Sequence, residues 1–217
     1  MSVAEDLSPE KRAQIMAGAA AVFAQDGYEG ASMSRIAAEA NVSKGTLYNY
    51  FESKAALFAA YVSDECERKL PQVFGAVDAE ANPAVVLRGI GFRMLEMMLS
   101  SVGLTIYRVV VSEAGKFPEL ARSFFEAGPA RAIDHMAAYL SAATASGNLT
   151  VGDPEFAAEQ FFALCQTRLG LRRRLLLTDE PSPAEIKHVV DATVAMFLHQ
   201  YGRADAPQSV LAPDEED

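Results

Sequence analysis

Ser32-Met33-Ser34-Arg35-Ile36-Ala37-Ala38-Glu39-Ala40-Asn41-Val42-Ser43-Lys44-Gly45-Thr46-Leu47-Tyr48-Asn49-Tyr50-Phe51-Glu52-Ser53-Lys54 is the stretch whose reading decides the fold. It reads as two short helices joined by a tight turn. Ile36, Ala37, Ala40, Val42, Leu47 and Phe51 supply an inward face, and the polar and aromatic residues between them point outward. Asn41 stands where the first helix must stop, and after glycine it tolerates positive φ best. Ser43 follows as an N-cap for the second helix, whose first backbone donors would otherwise be orphaned.

The second helix carries Lys44, Gly45, Thr46, Tyr48 and Asn49 outward, with Tyr50 beside them and Lys54 opening the next helix. Hydroxyls, lysine and helix N-terminal amides are good phosphate partners. Asparagine can pair with an adenine edge, and glycine lets the backbone approach closely. Ser32 and Ser34 begin the preceding helix, where free N–H groups can hold a phosphate. Ser32 also fits a plain cap, and Tyr50 also fits packing on the first helix. With Ser43, these residues make the expected DNA-contacting set of a helix-turn-helix.

The stretch strongly resembles the TetR family of one-component transcriptional regulators. The matching residues are Arg35-Ile36-Ala37, Val42 through Phe51, and Ser53-Lys54. Ile15 through Phe23, with Asp26-Gly27-Tyr28, fits the family's first helix and its exit. Asn41 departs from the glycine more common there. Farther on, Tyr107 through Ala121 and Phe124 through Pro129 are similar to the C-terminal domain of the AefR-like branch. The resemblance implies a palindromic operator, a four-helix dimer interface and a ligand-sensing second domain.

The 217 residues carry a net charge of −10, which at first argues against nucleic acid. The distribution matters more. From Ser8 to Ala60 five basic residues balance five acidic ones, and the acid excess lies almost wholly beyond. No apolar run reaches the ~18 residues a membrane helix needs. The acidic start lacks the pattern of a secretory signal. Cys66 and Cys165, far apart and each in a helical pattern, read as small core or edge residues of a cytoplasmic protein, with a redox-sensing pair as the alternative.

Helical periodicity with Pro and Gly punctuation runs throughout, and no useful strand alternation is present. The fold class is therefore all-α: an N-terminal three-helix helix-turn-helix domain plus a C-terminal helical bundle, about nine helices in all. The expected domains are a DNA-binding head at 1–55, a ligand-binding and dimerisation domain at 56–203, and a disordered acidic tail at 204–217. The fourth helix is expected to stop at Pro71, and one long helix to run from Pro154 to about Leu177. Ser182-Pro183-Ala184-Glu185 is a capping box opening the last helix.

The second domain is rich in apolar material for a pocket. Phe92, Met98, Tyr107, Phe124, Phe125 and Phe161 are its expected lining, with Arg108 and Arg168 placed to meet a ligand carboxylate. Methionine and phenylalanine at helical spacing also make plain core, and the arginines also suit structural ion pairs. Phe156, Leu164, Val189, Thr193, Met196 and Phe197 lie on apolar faces of the last two long helices and are the expected dimer interface. Arg172-Arg173-Arg174 reads as a solvated rim or an inter-subunit ion-pair set.

His135, His188 and His199 lack a nucleophile context or metal-ligand spacing, and no phosphate-binding glycine loop occurs. No cofactor, metal or catalytic residue is expected. The partners implied are an operator duplex, a second copy of the chain and a small apolar or amphipathic effector. A ligand-independent dimeric DNA-binding protein, or an activator, is the alternative; an enzyme with an incidental helix-turn-helix is the more distant one.

Overall fold

Side-chain caps open many of the described helices. The computed structural model describes residues 8–75 and 78–203, so the acidic tail expected at 204–217 lies outside the described residues. α1 (Pro9–Gly30) starts with Ser8 accepting from the Lys11 amide and Pro9 in the first turn, and Gly27 at φ 68° ends its regular part near Asp26. α2 (Met33–Glu39) and α3 (Lys44–Tyr50) follow, then α4 (Lys54–Phe74). α5 (Pro83–Leu99), α6 (Ser101–Glu113) and α7 (Pro118–Phe125) come next. A π-helical turn at Glu126–Ala130 leads into α8 (Arg131–Ala145). The last elements are α9 (Pro154–Cys165), α10 (Leu169–Arg174) and α11 (Pro183–Tyr201). Among the described residues there is no strand, only an isolated bridge between Leu149 and Gly202. No single described helix is long and apolar enough to cross a membrane.

Two boundaries differ from the sequence reading. Pro71 lies inside α4 rather than ending it. Near a helix end its missing N–H forfeits one hydrogen bond, and burial of Leu70, Val73 and Phe74 holds the last turn. The long helix expected over 154–177 is two helices, because Arg168 takes φ 66° between α9 and α10. Neither glycine nor proline occupies the break itself; Gly170 follows two residues on, inside α10. The capping box is present as read: Glu185 N donates to Ser182 Oγ, and Ser182 N donates back to the Glu185 carboxylate. That hydrogen bonding holds the Glu185 carboxyl below its ordinary range.

By contacts the chain parts into two compact units. The first holds the described residues up to Glu67 together with Thr105–Ala127; the second holds Arg68–Leu104 and the described residues from Gly128 onward. The expected boundary after residue 55 falls within the first unit, just past the start of α4. The first unit has an aromatic centre in which Phe58 meets Phe23 and Tyr28, each at 5.0 Å between ring centroids. Arg12 and Asp64 join α1 to α4 by a two-pronged pair at 2.9 and 3.0 Å. In the second unit α5, α9 and α11 pack around Phe161 and Phe197, whose rings meet edge-on at 5.3 Å. Cys165 is buried there, and burial pushes its thiol up to about 12. A thiol that stays protonated is a poor nucleophile.

α1 and α2 approach closely at Gly18. A Cβ on Gly18 would stand 2.7 Å from both the Ala40 nitrogen and its Cβ. Alanine in a helix gains ~0.5–1 kcal/mol over glycine. Overpacking against backbone costs ~1–3 kcal/mol. Gly18→Ala is therefore expected to lower stability by about 1 kcal/mol or more, read as an earlier urea midpoint.

Candidate nucleic-acid interface

The inward face of the helix-turn-helix is the one the sequence marks. Ile36 and Leu47 are fully buried, Ala37, Ala40 and Phe51 are buried, and Val42 is half-buried. Between the helices Asn41 takes φ 51°, the Asn41 amide bonds to Ala38 O, and the Val42 amide reaches back to Ala37 O. Asn41 thus takes the left-handed position that glycine more often fills.

The outward face sorts the expected contact residues into three groups. Ser34, Lys44, Gly45, Tyr48 and Asn49 are exposed, Tyr48 at 51%. Ser32 and Ser43 are also exposed but serve as caps, accepting from the amides of Arg35 at 3.2 Å and Thr46 at 2.9 Å. Ser43 and the half-buried Thr46 also pair their hydroxyls at 2.8 Å. Tyr50 and Lys54 are turned to the protein. The Tyr50 hydroxyl donates to Ser8 O at 3.2 Å, tying α3 to the start of α1. Lys54 Nζ donates to Tyr28 O at 2.7 Å and Ala31 O at 3.1 Å, and lies 4.2 Å over the Tyr28 ring. Burial, with Glu113 and Glu29 adding to it, raises the Tyr28 phenol, so the ring under that cation is neutral.

Several supports were not visible in the sequence. Arg35 meets the half-buried Asp26, at its buried Oδ2, at 2.8 Å, an ion pair without hydrogen-bond alignment, and also donates to Gln25 at 3.0 Å. Gln14 donates to Ala40 O at 2.6 Å. The spacing of Gln14 and Gly18, one turn apart on the buried side of α1, was the signal available for the second of these. No described group of three or more His, Cys, Asp or Glu residues is arranged to hold a metal ion.

This geometry can be set beside known proteins. Residues 15–61 match the model for the bacterial regulatory proteins of the tetR family, and residues 85–203 match that for the C-terminal domain of AefR-like transcriptional repressors. The chain belongs to the TetR family. It is accordingly a DNA-binding transcriptional regulator, in a family whose members are not enzymes. Among solved structures, a TetR-family regulator from Mesorhizobium loti superposes with a TM-score of 0.77 at 28% identity, over 89% of this chain and 98% of that one. The flavonoid-responsive regulator FrrA does so with a TM-score of 0.75 at 33% identity, over 91% and 100%. The repressor KstR of Mycolicibacterium smegmatis is 29% identical over 58% of this chain and 57% of its own length. The chain thus spans little more than half of that relative.

Outside the head, this TetR-family chain distributes the expected pocket residues over both units. Tyr107, Arg108, Phe124 and Phe125 fall in the first, with Arg108 and Phe125 exposed; Phe92, Met98, Phe161 and Arg168 fall in the second. Phe161 is core and Arg168 is exposed, while Phe92 and Met98 are half-buried. Of the expected interface residues, Phe156 and Met196 are more than half exposed and Leu164 is half-buried. Val189, Thr193 and Phe197 are buried within their own unit. An apolar groove of about 730 Å³ runs between α9 and α11, lined among others by Leu164, Met196, Phe197 and Tyr201.

Gly45 gives a direct test of what α3 is for. A Cβ there would meet nothing closer than Ser43 Oγ at 3.7 Å, so the fold has no use for the missing side chain. Gly45→Ala is expected to stabilise the protein by ~0.5 kcal/mol or more while weakening its hold on DNA. Thermal melting and fluorescence anisotropy on a duplex read the two effects separately.

Proposed function

We propose that the protein is a repressor that binds a palindromic operator as a dimer and is released by a small apolar or amphipathic effector bound in its C-terminal domain. One observation carries the DNA half of this reading. α3 buries Leu47 and presents Lys44, Gly45, Tyr48 and Asn49 to solvent on a helix that the rest of the head holds in place. One seven-residue helix spans too few base pairs for useful specificity, and a two-fold dimer doubles the site. In an operator selected from a random duplex pool, Tyr48→Ala is expected to lose ~1–3 kcal/mol of specific affinity. Lys44→Ala is expected to weaken all duplexes and lower the salt slope by about one per head. Unchanged affinity in both variants refutes α3 as the reader.

The dimer is supported by the outer face of α9 and α11. Phe156 and Met196 stand out from it, and the apolar groove lies alongside. Val189, Thr193 and Phe197 are buried within their own unit, Phe197 along the groove. A charge placed in such a face is left without a partner when two copies meet. Met196→Glu is expected to shift the protein to monomer in sedimentation at micromolar concentration with its helix content unchanged.

The effector is supported by two observations. The Tyr139 hydroxyl is buried without a hydrogen-bond partner among the described residues, and burial pushes its pKa to about 12, leaving it a donor. A ligand with an oxygen acceptor would satisfy it, and the structurally similar FrrA is flavonoid-responsive. Such a ligand acts by linkage. It favours a conformer whose two recognition helices no longer match successive grooves, and α4, whose length runs from Lys54 to Phe74, belongs to both units. A ligand-independent repressor is the second reading, favoured by the fully packed Phe161 between Phe162 and Phe197.

A further inference from the structure

We propose that Gln14, on α1 and far from the exposed face of α3, is a positioning residue that aims the recognition helix by fixing the Ala40–Asn41 peptide plane. The inference rests on α3 as the DNA reader. Ala40 is the C-cap of α2, and its carbonyl is among those a helix end leaves without an intrahelical donor. Gln14 Nε2 supplies the donor at 2.6 Å, across 26 residues of sequence. The opposite end of the same amide accepts from Lys11 Nζ at 2.9 Å, which sets which way the carboxamide faces. One turn farther along α1, Gly18 lets the Ala40 backbone lie against the helix.

A peptide unit is planar, so fixing its carbonyl direction fixes ψ of the residue before it and φ of the residue after it. Here those are Ala40 at ψ −3° and Asn41 at φ 51°. These two torsions come just before α3 and decide the direction in which it leaves the turn. Asparagine at positive φ is tolerated rather than strongly preferred. The turn therefore needs an external hold, and Gln14 gives it one that a polar side chain at the α1 surface would not.

The test compares Gln14→Met, which keeps length and loses the donor, with Gln14→Lys, which keeps a donor of similar reach. The probe is a duplex selected by the wild-type chain from a random pool, measured against a scrambled duplex of the same length. Gln14→Met is expected to lower the ratio of specific to scrambled affinity roughly tenfold, the order of one lost base contact. Its affinity for the scrambled duplex and its salt slope stay as in the wild type, because no phosphate contact is lost. Amide exchange at Asn41 and Val42 quickens in the same variant without DNA, and Gln14→Lys restores both readouts. A merely structural role would leave the ratio untouched well below the melting temperature. Tyr48→Ala measured alongside separates the two ideas. An unchanged ratio in Tyr48→Ala refutes α3 as the reader. An unchanged ratio in Gln14→Met beside a weakened Tyr48→Ala overturns the role of Gln14.

Discussion

The head depends on the crossing of α1 and α2 at Gly18, where one missing methyl group lets two backbones meet. With a Cβ standing 2.7 Å from the Ala40 nitrogen, any larger residue would lift α2 away. Ile15, Ala19 and Val22 of α1 and Ile36 and Ala37 of α2, all buried now, would be opened to water. Dispersion energy falls off steeply with a gap of even half an ångström, so the crossing sets the quality of the whole small core. Gln14, Tyr50 and Lys54 attach the turn, α3 and the exit of α1 to this crossing by hydrogen bonds. The exposed face of α3 is thus the outcome of contacts made behind it.

Much of the head was legible because its signals are local. Ser32, Ser43 and Ser182 announced caps, Asn41 announced a left-handed turn, and spacing chose the buried face of α2 and α3. Each of these is set by neighbours within four residues. Tyr50 and Lys54 were harder. A polar tip on an exposed helix has the same sequence signature whether it meets a phosphate or a carbonyl of its own fold. Lys54 engages Tyr28 O, and Tyr50 engages Ser8 O, both across long stretches of chain. Only the folded chain brings those partners near.

The second unit was legible in its helices and less so in their breaks. Pro71 does not end α4, because buried Val73 and Phe74 outweigh one absent hydrogen bond. Arg168 takes a positive φ between α9 and α10, and neither glycine nor proline stands at the break itself. Apolar residues there were equally good candidates for core, pocket and interface. Their exposure differs: Phe161 and Phe197 are buried, whereas Phe156 and Met196 face outward. No periodicity distinguishes those roles, since a residue buried by its own chain and one buried by a second copy look alike in sequence.

The hydrogen bonds of the head also bear on how it would meet DNA. Of its five cations, Arg12 is held by Asp64, Arg35 by Asp26, Lys54 by two carbonyls and Lys11 by Gln14. Lys44 alone is left with no partner within the described protein. A duplex is first felt through its phosphates. Arg12 and Arg35, whose charges are already met by Asp64 and Asp26, would release fewer counterions on contact than free cations. The fit of the neutral donors on α3 would then carry a larger share of any hold on DNA.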